Sequence, residues 1–247
     1  MLVSQLIAVA CFCAILCTEW RRRYFEHISI FVHCLDGTVY VRLLLRSVLF
    51  TVFVASGDLF LRRTIQGIQH PLLKAALHVG GWLGGSIRFW LIVFPVYAIS
   101  LVLQKPIVRA RVFGCLLSVA VASLLCTVIK WIIARARPYS HLGPLSFFNW
   151  SRVAHHGSMF QSFPSGDTIV VAATAWYVVS WLPRSSLRWL ILVLPLMTAL
   201  SRVFLDQHWS SDTMFSIGLA LVSARLIVQY ERFTAQHSET EVRSQLD

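Results

Sequence analysis

Long apolar runs follow one another along this chain, near residues 2–18, 41–55, 87–103, 112–134, 165–181, 187–205 and 210–228. Several approach or exceed the roughly 18 residues that cross a bilayer as a helix. The runs are continuous rather than alternating, which argues against a membrane barrel. Only 13% of residues are charged and mean hydropathy is +0.67, whereas about 25% of residues are charged in an ordinary soluble domain. The expected fold is all-α, a polytopic transmembrane helical bundle of six core spans plus an extra N-terminal span.

Residues 1–40 read as an N-terminal apolar segment with a basic cytoplasmic connector, 41–230 as the membrane-embedded domain, and 231–247 as a polar, disordered cytoplasmic tail. The run at 2–18 is followed by Arg21, Arg22 and Arg23. A secretory signal carries its positive charge before the apolar run, so a retained span is the better reading, with a cleaved signal or an interfacial helix as alternatives. Between 58 and 86 lies a connector that ends in Gly80-Gly81-Trp82-Leu83-Gly84-Gly85. Its glycines are too irregular for a phosphate loop and suit close helix packing through small residues. No internal repeat or second domain is visible.

The formal net charge is +11, from 22 Lys+Arg against 11 Asp+Glu. In a membrane chain arginines that flank spans explain most of this excess, and nucleic acid is not an expected partner. A basic site for an anionic substrate explains the rest. The six cysteines (Cys11, Cys13, Cys17, Cys34, Cys115 and Cys126) contain no C-x-x-C pair. Neither a disulfide framework nor a zinc site follows from them.

Counting spans back from a cytoplasmic tail puts the turns at 105–111 and 183–188 inside. It also places three polar clusters together on the opposite face: Lys130 to Pro138, Phe163 to Thr168, and Ser201 to Asp212. Ionisable groups at such positions are costly and mark function by default. The connector with Arg62, Arg63 and Lys74 falls on that face as well, so the positive-inside rule is only partly obeyed.

Each cluster alone has an ordinary explanation. Lys130 and Arg137 are seven apart, two helical turns, and so share a helix face; two cations there can straddle an anion. Arg135 suits snorkelling to lipid headgroups, an explanation that fits Lys130 less well because it lies deeper in the apolar run. Pro164-Ser165-Gly166-Asp167 opens a span as a helix start would. A helix start also offers free N–H groups to an anion, and Gly166 permits close approach to the backbone. His208 and Asp212 are four apart, so a carboxylate can hold one ring nitrogen and leave the other nucleophilic. A structural histidine beside a capping aspartate is the plain alternative.

Taken together, Lys130-x6-Arg137-Pro138, Pro164-Ser165-Gly166-Asp167 and Ser201-Arg202-x5-His208-x3-Asp212 resemble the tripartite pattern of the type-2 phosphatidic acid phosphatase superfamily. That superfamily includes vanadium haloperoxidases and glucose-6-phosphatase. The resemblance spans about residues 86–230, with the first and third motifs complete. It implies that His208 attacks phosphorus and forms a phosphohistidine, that Asp212 orients His208, and that Lys130, Arg137, Ser165, Gly166 and Arg202 hold the phosphoryl oxygens. Phosphoryl transfer asks mainly for positioning and charge stabilisation, so three cations can take the part of a metal and no cofactor is expected. Haloperoxidase activity is disfavoured in a chain with so many spans.

At Asp167 the family usually has a histidine that protonates the leaving oxygen. Asp167 could be the acid itself, although nearby cations and a helix N-terminus oppose that. His155 or His156 could supply the proton from the 139–163 loop. The substrate could instead leave readily, as a pyrophosphate or anomeric sugar phosphate does; this reading is favoured, with Asp167 assisting. An inactive family member stands beside these. The resemblance thus implies an integral membrane phosphatase acting on a lipid phosphate or pyrophosphate, such as lipid A 1-phosphate, undecaprenyl pyrophosphate or a phosphatidate-like lipid. The expected location is a bacterial inner membrane with a periplasmic site. A lipid phosphotransferase and a non-catalytic lipid-binding protein of the same fold are the alternatives.

Overall fold

The computed structural model describes residues 31–83 and 86–244. It is helical throughout, with no strand among the described residues. Nine α-helices follow in order: α1 (Gly37–Ala55), α2 (Asp58–Gln66), α3 (Pro71–Leu83), α4 (Ser86–Val102), α5 (Pro106–Ile133), α6 (Trp150–His156), α7 (Gly166–Trp181), α8 (Ser186–Phe204) and α9 (Ser210–Ser244). Helices α1, α5, α8 and α9 are long and apolar enough to cross a membrane, and a shorter apolar stretch, Leu91–Val102, lies in α4. The run at 2–18 and the arginines at 21–23 lie outside the described residues.

Helix α9 is the central element. It packs on α7, α1 and α5; α7 packs on α5 and α8, and α8 on α3. The outward faces of α1 and α4 stay apolar and exposed, as at Leu49, Phe53, Leu91 and Ile92, which suits lipid contact. Inside, small residues bring the helices close: Ala122, Ala172, Ala173 and Ala220 are all fully covered. A Cβ on Gly80 would stand 2.6 Å from the Met197 carbonyl oxygen, and one on Gly81 2.4 Å from Ser201 Oγ. Gly80 and Gly81 therefore serve the close packing expected of them, here between α3 and α8, while Gly84 and Gly85 lie outside the described residues.

The 58–86 connector holds α2 and α3. Two boundaries differ from the expectation. The tail expected to be disordered continues α9 as far as Ser244, because Glu231 is tied into the bundle by Tyr177, whose hydroxyl donates to it at 2.8 Å. Helix α5 ends at Ile133, before Pro138 can act. Ala134 is left-handed (φ 43°) and its N–H bonds back to the Lys130 carbonyl. From there the chain is extended and held by its own loop: Ala136 N–H donates to Ser146 O, Arg137 N–H to Met159 O, and Ser162 N–H to Arg135 O.

Candidate active site

The three polar clusters meet at one end of the bundle. Lys130 comes from the last turn of α5. Arg137 stands in the extended stretch after it, with φ −74° and ψ 156°, so the two cations are brought together by a loop that folds back and not by a continuing helix face. Arg202 is in the last turn of α8. His208 sits in the α8–α9 connection, and Asp212 in the first turn of α9.

His208 is 3% exposed. Its backbone N–H donates to the Arg202 carbonyl at 3.2 Å. Its Nδ1 lies 2.7 Å from the Ser162 carbonyl oxygen but 3.7 Å from Asp212 Oδ2. The direct partner of the ring is therefore Ser162, and the carboxylate acts from one atom further away. With Nδ1–H donating to a carbonyl, Nε2 is the unprotonated nitrogen, and it has no partner among the described residues. Burial, aided by Lys130 and Arg137, depresses the pKa of His208 to about 4. At neutral pH the ring is neutral and its lone pair is free.

Asp212 is fully buried and satisfied from several sides. Its Oδ2 accepts from the Ser162 hydroxyl at 2.5 Å and from Trp209 N–H at 2.9 Å. The latter is a carboxylate reaching back to the start of its own helix, as in a capping box. The capping role and the pairing role thus coexist in one side chain. Its Oδ1 accepts from Arg135 Nη1 at 2.5 Å. Arg135 is 1% exposed, which overturns the snorkelling expectation. The guanidinium is walled by Phe147 and Trp209, its centre 4.9 and 5.6 Å from their rings. Trp209 in turn donates Nε1–H to the Ala136 carbonyl at 2.9 Å, locking the α8–α9 connection to the stretch that carries Arg137.

The remaining cations are held but not saturated. Lys130 Nζ donates to the Gln161 carbonyl at 2.6 Å. Arg137 Nη1 donates to Gln207 Oε1 at 2.7 Å, and Arg202 Nη2 to the Gly81 carbonyl at 2.7 Å. The Nε groups of Arg137 and Arg202 are buried donors without a partner. Buried donors of this kind ask for an explanation, and an anion between the two arginines supplies one.

Ser165 stands at the N-cap of α7 as the sequence suggested, yet its side chain makes no cap bond; its hydroxyl instead accepts from Thr168 Oγ1 at 3.0 Å. Gly166 opens the helix, with Lys130 Cε 4.0 Å from where its Cβ would be. Asp167 is ion-paired with Arg202, its Oδ2 3.1 Å from Nη1. Of the two loop histidines, His155 is exposed on α6. Sequence reasoning missed Ser162, Gln207, the true role of Arg135, and Asp58 behind it. Apart from the oddity of charge near span ends, no local pattern announces them, because their partners are far away in the chain.

A helical bundle with apolar, membrane-length helices and a buried, cation-lined cluster at one end is an integral membrane protein with a site suited to an anion. The chain belongs to the PAP2 superfamily, whose sequence profile matches residues 111–235. Two solved structures share the fold. One is LpxE of Aquifex aeolicus, 19% identical with a TM-score of 0.53, covering 70% of this chain and 94% of that one. The other is a transmembrane PAP2-type phosphatidylglycerolphosphate phosphatase of Bacillus subtilis, 21% identical with a TM-score of 0.58, covering 76% and 96%. No curated protein matches this chain.

Proposed function

We propose that this protein is a membrane phosphatase that removes phosphate from a lipid-linked phosphate or pyrophosphate through a phosphohistidine at His208. The observation that carries the reading is the neutral, buried His208 ring, its Nδ1 committed to Ser162, set with Lys130 and two arginines whose buried Nε donors lack partners. Nε2 attacks phosphorus as the bond to the leaving oxygen breaks. Lys130, Arg137, Arg202 and the first-turn N–H groups after Ser165 receive the equatorial oxygens, where charge accumulates in the transition state. Asp212 offsets the positive charge that builds on the ring. Water then attacks phosphorus and the P–N bond breaks, its electron pair returning to Nε2; inorganic phosphate leaves, the water's proton passes to solvent, and His208 is restored. No cofactor takes part.

The Asp167–Arg202 ion pair bears on the substrate. A carboxylate accepting from a guanidinium has no proton to give a leaving oxygen. The site therefore suits a leaving group that departs without strong acid help, such as the lipid phosphate of a pyrophosphate or the anomeric oxygen of a sugar 1-phosphate. Undecaprenyl pyrophosphate and lipid A 1-phosphate fit this better than phosphatidate. The lipid chains stay in the bilayer while the headgroup enters from the membrane surface. In the proposed orientation the basic turns at the other end of the bundle face the cytoplasm of a bacterial inner membrane and the site faces the periplasm, as the positive-inside rule favours.

The test is phosphate release by detergent-purified protein from phosphatidate, phosphatidylglycerolphosphate, undecaprenyl pyrophosphate and lipid A, with and without an acceptor lipid. Release should occur and His208→Ala should abolish it, a loss of at least about a thousandfold for a nucleophile. A His208→Ala variant as fast as wild type would sink the mechanism. Transfer to the acceptor in place of release would make the protein a phosphotransferase with the same intermediate, and lipid binding without turnover would make it a binding protein.

A further inference from the structure

Asp58 follows Ser56-Gly57, where the sequence ends an apolar run, and the fold puts it in the first turn of α2. It lies outside the stretch that matches the family. In the fold it is fully buried and bonded on all sides. Its Oδ1 accepts from Ser211 N–H at 2.9 Å. Its Oδ2 accepts from the Ser211 hydroxyl at 2.5 Å and from Arg135 Nη2 at 2.9 Å. The same guanidinium gives its other nitrogen, Nη1, to Asp212 at 2.5 Å and to Ser211 Oγ at 2.7 Å. Arg135 also donates Nε and Nη2 to the Pro144 carbonyl, at 2.9 and 2.6 Å.

One buried guanidinium is thus shared by two buried carboxylates, and the group of three carries a net charge of −1. That charge is passed towards His208 through a single residue. Ser162 donates its hydroxyl to Asp212 and accepts His208 Nδ1–H on its carbonyl. If Asp58 were absent, Arg135 would face Asp212 alone and cancel its charge. A buried ion pair kept only as a staple between helices has no need to be so closely linked to the nucleophile.

We propose that Asp58 is a positioning residue for the reaction at His208, acting through Arg135 to keep the negative charge of Asp212 available to the ring. This rests on the phosphatase reading. The charged groups that face His208 are Asp212 of α9, Lys130 of α5 and Arg137 of the loop after it. Removing the negative charge of Asp58 leaves the positive charge of Arg135 less offset, so protonated His208 becomes less favourable and its neutral form a weaker nucleophile.

The experiment compares wild type, Asp58→Asn, Asp58→Asn/Arg135→Gln and His208→Ala in detergent micelles, reading kcat, KM, the acid limb of the pH profile, thermal unfolding and the affinity for orthovanadate, a phosphate analogue that bonds to an unprotonated imidazole nitrogen. Asp58→Asn should lower kcat by about tenfold or more with KM changed little, move the acid limb to lower pH and weaken vanadate binding. Adding Arg135→Gln returns the net charge of the group to −1 and should recover most of the lost rate and the position of the limb. A purely structural role predicts the reverse ranking: the double variant is slower still, and the limb stays put in both. Should Asp58→Asn alone not fold, the double variant, which removes the ion pair as a unit, decides by its rate: a kcat close to wild type supports the proposal, and a collapse of kcat in folded protein overturns it. Turnover that needs His208 but ignores Asp58→Asn sinks the role of Asp58 and leaves the phosphatase reading standing. No turnover in any protein, with vanadate binding indifferent to His208→Ala, sinks both.

Discussion

Asp167 and Arg202 face each other at 3.1 Å, and this single pair separates the site from one that carries its own acid. General acid catalysis contributes about 10²–10⁴-fold where the leaving oxygen needs a proton. Asp167→His therefore should raise turnover of an alkyl phosphate monoester by about tenfold or more, while hydrolysis of a lipid pyrophosphate changes little. The measurement is the ratio of kcat/KM for phosphatidate and undecaprenyl pyrophosphate; an unchanged ratio would mean that the aspartate does not set leaving-group preference. His208 supplies a second residue-scale prediction. Its pKa, depressed by burial to about 4, lies below the ordinary imidazole value of about 6.5, so the nucleophile is neutral throughout the physiological range. The rate should hold as pH falls through 6 and decline only near 4, where the ring gains its proton. A limb near 6 that does not follow the substrate's own phosphate ionisation would contradict this. All eight residues that the sequence singled out gather at one end of the bundle, because their motifs put the relevant chemistry beside span ends. Arg135 was misread for a physical reason: an arginine at a helix end looks the same whether it reaches lipid headgroups or two carboxylates 77 residues away on either side.

At the scale of elements, α5, α7 and α9 are fastened at both ends by different means. The site fastens one end. At the other, the Tyr177 hydroxyl of α7 donates to Glu231 of α9 at 2.8 Å, and Arg111 of α5 approaches the same carboxylate at 3.4 Å while lying 3.1 Å from the Trp181 ring centre. This clasp closes over Gly114 of α5, where an added Cβ would stand within 2.2 Å of the Tyr177 hydroxyl and nearer still to Glu231. Gly114→Ala should push the clasp apart and cost about 1–3 kcal/mol, the usual range for overpacking. Thermal unfolding in micelles reads the loss. Turnover per folded molecule should be unchanged, since Asp212 and Glu231 are separated by about 28 Å of helix. The apolar runs of α5, α7, α8 and α9 could be read from composition. The length of α9 could not, because the polarity of 231–244 hides a carboxylate whose partner, Tyr177, is 54 residues away. The early end of α5 was equally hidden: Pro138 is the visible stop signal, but loop hydrogen bonds and a left-handed Ala134 end the helix first.

For the whole molecule, the distribution of charge decides orientation. Taken from sequence alone, Arg62, Arg63 and Lys74 on the site end conflict with a rule that keeps basic residues inside. The fold removes part of that conflict. Arg62 forms a two-pronged ion pair with Asp206, both bonds at 2.6 Å, and Gln66 joins the same carboxylate at 2.9 Å. Arg135 and Arg202 are likewise matched by Asp58, Asp212 and Asp167. Three cations of the site end are thus neutralised in place, while at the opposite end Lys105, Arg109, Arg184 and Arg188 stand in or beside short turns. The proposed orientation keeps the short basic turns and the end of α9 in the cytoplasm and has the site facing out. An epitope tag placed after Gln69, in the exposed α2–α3 connection, should be cut by protease added to right-side-out spheroplasts, while a tag at the C-terminus survives until the membrane is opened. The opposite pattern would invert the protein and turn the phosphate site towards the cytoplasm, where it would meet a different set of lipid headgroups.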